Sequence, residues 1–149
     1  MIQRQLQNVF CTLLLALAIA SPANAETDLR ISNAWVREAP PGSHVLAGYL
    51  TIENAGTTAV TISGISGDGF SSIEIHRTVI EDGMARMLSI GHLDIPAGDA
   101  VVLEPGGYHL MLFNPDRTLT SGDNVELLLH VSNGPCLPVN APVLRKRAD

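Results

Sequence analysis

The stretch Ser72-Ile-Glu-Ile-His-Arg-Thr-Val-Ile-Glu-Asp-Gly-Met-Ala-Arg-Met-Leu-Ser-Ile90 decides the fold of this chain. Its two arms are rich in Ile, Val and Thr and alternate in polarity, the period of a strand with one buried face. Between them stands Asp82-Gly83, a dipeptide that suits a two-residue hairpin turn because both positions accept positive φ. That turn sets a register in which His76 lies opposite Ser89 and diagonal to Met87.

Working outward, similar short runs recur about every dozen residues, and no stretch sustains a helical period. Strands are expected near 29–37, 46–54, 59–66, 72–80, 84–90, 100–104, 108–113, 125–132 and 137–144. The breaks between them carry turn chemistry: Pro40-Pro41-Gly42, Gly67-Asp68-Gly69, Pro96-Ala97-Gly98, Pro105-Gly106-Gly107, Ser121-Gly122-Asp123-Asn124 and Asn133-Gly134-Pro135. About nine such strands in one domain make an all-β Greek-key sandwich or barrel, with two inner faces burying one core.

The chain has 149 residues, and its first 25 are set apart from the fold. Arg4, the apolar run Val9 to Ala20 and the small-x-small site Ala23-Asn24-Ala25 read as a signal peptide cleaved before Glu26. The run is shorter than the roughly 20 residues of a membrane span, which makes a retained anchor the alternative reading. Residues 26–149 suffice for one domain. The formal net charge of the whole chain is −6, and the leader holds a cation and no acid, so the remainder is more negative still. An acidic body is repelled by phosphate backbones, which argues against nucleic acid as a partner. Of two cysteines, Cys11 lies in the leader, so Cys136 has no intramolecular disulfide partner. Its simplest role is that of a small buried apolar residue, with a redox thiol or an extra metal ligand as alternatives. The basic triplet Arg145-Lys146-Arg147 reads as a solvated tail.

Alternation also sorts the chemistry-bearing residues. Ile73 and Ile75 mark the inner face of one strand, which puts His76 on the other face with Glu74. Leu88 and Ile90 are expected inside, with Met87 pointing away. In Tyr108-His-Leu-Met-Leu-Phe113 the stripe Tyr108, Leu110, Leu112 is the inner one, and His109 and Met111 project together from the opposite side. Methionine is usually core filler, so two methionines off the core face, each in register with a histidine, need another reason.

That reason is a metal. Thioether sulfur is soft and binds hard cations poorly, so two imidazoles with two thioethers select copper, above all Cu(I), over zinc, magnesium or calcium. His76, Met87, His109 and Met111 form the candidate metal site. Glu74 has two readings, a hydrogen-bond partner of a ligand imidazole or an ordinary surface carboxylate, and the second is the simpler. Met84 reads as an exposed loop residue, and His44, His92 and His130 as structural or solvated.

The spacing H-x10-M-x21-H-x-M resembles the signature of the PCu(A)C periplasmic copper chaperones. The likeness extends through Ala34-Trp-Val-Arg37, Pro40-Pro-Gly42, Gly48-Tyr-Leu-Thr-Ile52, Ile73-Glu-Ile-His76, Pro105 to Met111 and Gly122-Asp123. The resemblance implies a cupredoxin-like fold and Cu(I) held by His76, Met87, His109 and Met111. It also implies a periplasmic location, no enzymatic activity, and delivery of copper to a copper-accepting protein. That recipient is the CuA site of cytochrome c oxidase subunit II or another periplasmic copper carrier. Many members have a methionine directly after the first histidine where this chain has Arg77, whose parity sends it to the opposite face.

Three other functions compete. A storage or tolerance protein would share the site and differ in destination. A blue-copper electron carrier needs a Cys thiolate beside a His and a Met near the C-terminus, and Cys136 is followed only by Leu-Pro-Val-Asn-Ala-Pro-Val-Leu. A metal-free structural sandwich leaves the off-core methionines unexplained. No G-x-S-x-G or H-E-x-x-H motif supports hydrolysis.

Overall fold

A computed structural model describes residues 28–145, and the expected signal peptide and the end of the basic tail lie outside them. Ten strands and no helix make up the described chain: β1 Leu29–Arg37, β2 Val45–Asn54, β3 Val60–Ser66, β4 Ser72–Glu81, β5 Met84–Ile90, β6 Leu93–Ile95, β7 Ala100–Leu103, β8 Tyr108–Phe113, β9 Asn124–Val131 and β10 Leu137–Leu144. The nine expected strands are present with ends shifted by a residue or so. The tenth, β6, is too short for alternation to announce: Leu93 and Ile95 are buried on either side of exposed Asp94, and Pro96 ends it.

The strands hydrogen-bond in the order β5-β4-β8-β7-β2-β1-β10-β9-β3-β6, with β8 also paired to β2. All neighbours are antiparallel except β1 with β10 and β7 with β8. The parallel β1–β10 contact joins the β5-to-β1 half to the β10-to-β6 half, the arrangement of an all-β cupredoxin-like sandwich. Their inner faces share one core, in which Val36, Ile52, Ile62, Ile95, Leu110, Leu112, Leu129 and Val143 are fully buried. Each such side chain contributes about 1.5–3 kcal/mol of burial.

Two local features place β4, β5 and β8. Asp82 and Gly83 have φ of 53° and 76°, the left-handed pair of a type I′ turn, whose twist matches the strands it joins. At the other side of β8, the β2 backbone comes so close that a Cβ on Gly48 would sit 3.1 Å from Leu112 Cδ1 and 3.2 Å from Leu110 Cβ. The absence of a side chain there lets β2 and β4 flank β8, which becomes an interior strand.

Candidate metal site

Four sequence-expected residues share the outer face of β5, β4 and β8. His76 pairs directly with His109 across β4 and β8, and Glu74 pairs with Met111. On the other side of β4, His76 pairs with Ser89 and Thr78 with Met87. The register set by Asp82-Gly83 is thus the observed one. What sequence reasoning left open, whether the His109-x-Met111 strand lies near the hairpin, is answered by the β4–β8 pairing.

The two imidazoles have ring centroids 6.0 Å apart and planes inclined at 38°, a spacing that one ion can bridge. Met87, His109 and Met111 line a common cavity of about 300 Å³, whose wall also includes Arg37, Ala47, Tyr49 and Pro105. Phe113, on the same stripe as His109 and Met111, packs its ring 6.3 Å from that of His76.

Hydrogen bonding distinguishes the ring nitrogens. His76 Nε2 lies 3.0 Å from Glu74 Oε2, and His109 Nδ1 lies 3.1 Å from the Gly107 carbonyl oxygen. Carboxylate and carbonyl oxygens only accept, so each of those nitrogens is the donor. The remaining two, His76 Nδ1 and His109 Nε2, are buried with no hydrogen-bond partner. Leaving a buried polar atom unpaired costs about 1–3 kcal/mol. Two such atoms on directly paired residues of adjacent strands fit a metal ion, which would take up the lone pair that each nitrogen offers in a neutral imidazole. The donor set fits a soft one, because the thioethers of Met87 and Met111 share the face of the two imidazoles and bind hard cations poorly.

The hydrogen bond from His76, and after it one from Ser89 Oγ at 3.0 Å, hold the Glu74 carboxyl below the usual carboxylate range. The simpler reading of Glu74 as an ordinary surface acid is therefore corrected: it touches a candidate ligand.

Other expectations divide. All four candidates do occupy the non-core face, but His109 is only 5% exposed, because β8 is interior to the sheet. Met87 is 60% exposed, because β5 is the sheet's edge. The same edge position leaves Leu88, expected inside, 48% exposed, while Ile90 is half-buried. Arg77 does turn to the face opposite His76, where its guanidinium lies 5.4 Å from the Tyr108 ring centroid. Met84 is exposed, but it begins β5 opposite Glu81, on the face away from Met87.

Cys136 is not buried: it is exposed, with Sγ 3.4 Å from His130 Nδ1. Free cysteine behaves as a small apolar residue and is usually buried, but Cys136 precedes β10 and escapes its alternation. His130 also bonds Ser66 through Nε2 at 2.8 Å. His44 and His92 are exposed. Sequence reasoning missed Phe113, although its parity with Met111 was a usable signal, and Gly107, whose carbonyl contribution has no signature in residue type.

Comparison with known proteins agrees with this architecture. A family described as "Putative lipoprotein LpqE-like" matches residues 29–143. The "Putative lipoprotein Lxx21020" of Leifsonia xyli subsp. xyli is 32% identical over 133 residues, which span 85% of this chain and 79% of that protein. Among solved structures, the Cu(I) form of DR1885 from Deinococcus radiodurans superposes with a TM-score of 0.63 at 29% identity, covering 87% of this chain and 83% of that one. The copper-bound PCuAC domain from PmoF2 superposes with a TM-score of 0.66 at 19% identity, covering 78% of this chain and 92% of that one, and at that identity it speaks for the fold alone. The chain belongs to the LpqE-like family.

Proposed function

We propose that this protein is an exported copper chaperone of the PCuAC kind, which binds Cu(I) through His76, Met87, His109 and Met111 and passes it to a copper-accepting protein. The observation that carries the reading is the pair of buried, unpartnered nitrogens, His76 Nδ1 and His109 Nε2, on neighbouring strands with two thioethers on the same face. Cu(I) has a filled d shell and accepts a distorted arrangement of such ligands. Two neutral imidazoles and two neutral thioethers leave its charge uncompensated, so the ion is held firmly and still surrendered by ligand exchange. Met87, exposed on an edge strand, is the ligand an approaching partner reaches first.

The relative's description as a lipoprotein and the Cu(I)-bound form of DR1885 support export and copper handling. Export with cleavage before Glu26 places the mature chain in the periplasm. The recipient in this reading is the CuA site of cytochrome c oxidase subunit II or another periplasmic copper carrier. The protein's role is binding and transfer, not catalysis. A storage or tolerance role uses the same site, and transfer separates the two.

The test is a Cu(I) titration of the mature protein against a chromophoric chelator, followed by addition of an apo CuA domain. One tightly held equivalent that moves to the CuA domain supports the proposal. Binding without transfer favours storage, and no binding refutes both.

A further inference from the structure

We infer that Glu74 is a positioning residue that makes His76 present Nδ1, rather than the less hindered Nε2, to the metal, and that it ties this choice to the Met87 hairpin through Ser89. The inference rests on the copper-binding reading of the site. It concerns two residues, Glu74 and Ser89, that belong to no ligand set.

Glu74 and His76 stand two residues apart on β4, so their side chains share the outer face. The carboxylate accepts the His76 Nε2 proton at 3.0 Å and, on the same oxygen, the Ser89 hydroxyl proton at 3.0 Å. Ser89 is the direct cross-strand partner of His76 on β5, and Met87 lies two residues further along the same face of that strand. A single carboxylate oxygen thereby joins the imidazole of one strand to the strand that carries a thioether.

The chemical consequence follows from the proton count. A neutral imidazole has one N–H, and an ionised carboxylate can only accept, so the proton stays on Nε2 and the lone pair on Nδ1. Nδ1 is the atom found buried and without a partner. His109 is fixed in the opposite sense: its Nδ1 donates to the Gly107 carbonyl, and Nε2 is the unpartnered atom. The pair therefore offers one nitrogen of each kind. With Glu74 removed, His76 Nε2 loses its acceptor, and both tautomers become available.

Substitution of groups that hydrogen-bond a ligand imidazole typically weakens metal binding about 10–100-fold. The test uses the mature protein with 15N-labelled histidine, in the wild type, in Glu74→Ala and in Glu74→Gln, whose side-chain carbonyl still accepts from Nε2–H. Long-range 1H–15N spectra assign the tautomer without metal and identify which nitrogen shifts when Cu(I) alone is added under anaerobic conditions.

The expected result is a His76 protonated at Nε2 in the apo wild type, with Nδ1 shifted by Cu(I). Glu74→Ala should show mixed tautomers and a Cu(I) affinity lowered about 10–100-fold. Glu74→Gln should restore the tautomer and most of the affinity. An apo His76 protonated at Nδ1, a Cu(I)-induced shift at Nε2, or a Glu74→Ala variant with unchanged tautomer and affinity would each overturn the inference. If no variant and no wild type binds Cu(I), the copper reading fails, and the apo tautomers of wild type and Glu74→Ala still decide whether Glu74 positions the ring.

Discussion

Replacing His109 by Leu should abolish Cu(I) binding and yet leave the apo protein as stable as the wild type or more so. His109 is 5% exposed, and its Nε2 is buried without a partner, a state that costs about 1–3 kcal/mol in the apo fold. Leu removes that atom. It also removes the bond from Nδ1 to Gly107, worth about 0.5–1.5 kcal/mol. The Gly107 carbonyl is not orphaned by the change, because it also accepts from the Thr78 backbone N–H at 3.1 Å. The balance lies between a loss of about 0.5 kcal/mol and a gain of about 2.5 kcal/mol. Urea unfolding of the two apo proteins reads this difference directly. Cu(I) supplied at about a hundredfold excess over its Kd should stabilise the wild type by about 2.7 kcal/mol more and the variant not at all. An apo variant destabilised by more than about 2 kcal/mol would mean that His109 serves the fold rather than a ligand, and would refute the argument from the unpaired nitrogen.

Three further outcomes follow from particular residues. Met87→Leu should change stability by less than about 0.5 kcal/mol, since the side chain is largely exposed on an edge strand, while Cu(I) affinity measured by chelator competition falls. Cys136→Ser should leave Cu(I) affinity at the His76–His109 site unchanged, because the thiol sits against His130 of β9, outside β5, β4 and β8; a large loss in the same titration would make it a ligand. Asp123 is held below the usual carboxylate range, first by the Thr120 backbone N–H and then by Arg117. A lowered native value gives a contribution that is full above the ordinary carboxyl pKa and is lost as pH falls through the native one. Acid unfolding should accordingly show the gap between wild type and Asp123→Asn closing as pH drops.

Much of this geometry was legible because a strand's period is two and a two-residue turn leaves no slack. Ile73, Ile75, Leu110 and Leu112 declared the core face, and Asp82-Gly83 fixed the partners of His76 on β5 without any tertiary information. The adjacency of β4 and β8 was not legible. It arises from a long-range pairing between strands separated by three others in sequence, and from a glycine, Gly48, that admits β2 against β8. Exposure was read less well than direction. Alternation says which way a side chain points, not how many strands lie beyond it, so His109 inside the sheet and Leu88 at its edge departed from expectation in opposite directions. Glu74 illustrates a third limit: its carboxylate takes its role from the distance to His76 and Ser89, and residue type alone gives no such distance.

X-ray absorption at the copper edge of the Cu(I)-loaded protein, prepared with Cys136→Ser so that no thiolate contributes, examines the ligand set directly. The account predicts a nearest shell containing both imidazole nitrogen and thioether sulfur, with the sulfur reduced in Met111→Leu. A shell of nitrogen and oxygen alone, or one that Met111→Leu leaves unaltered, would contradict it.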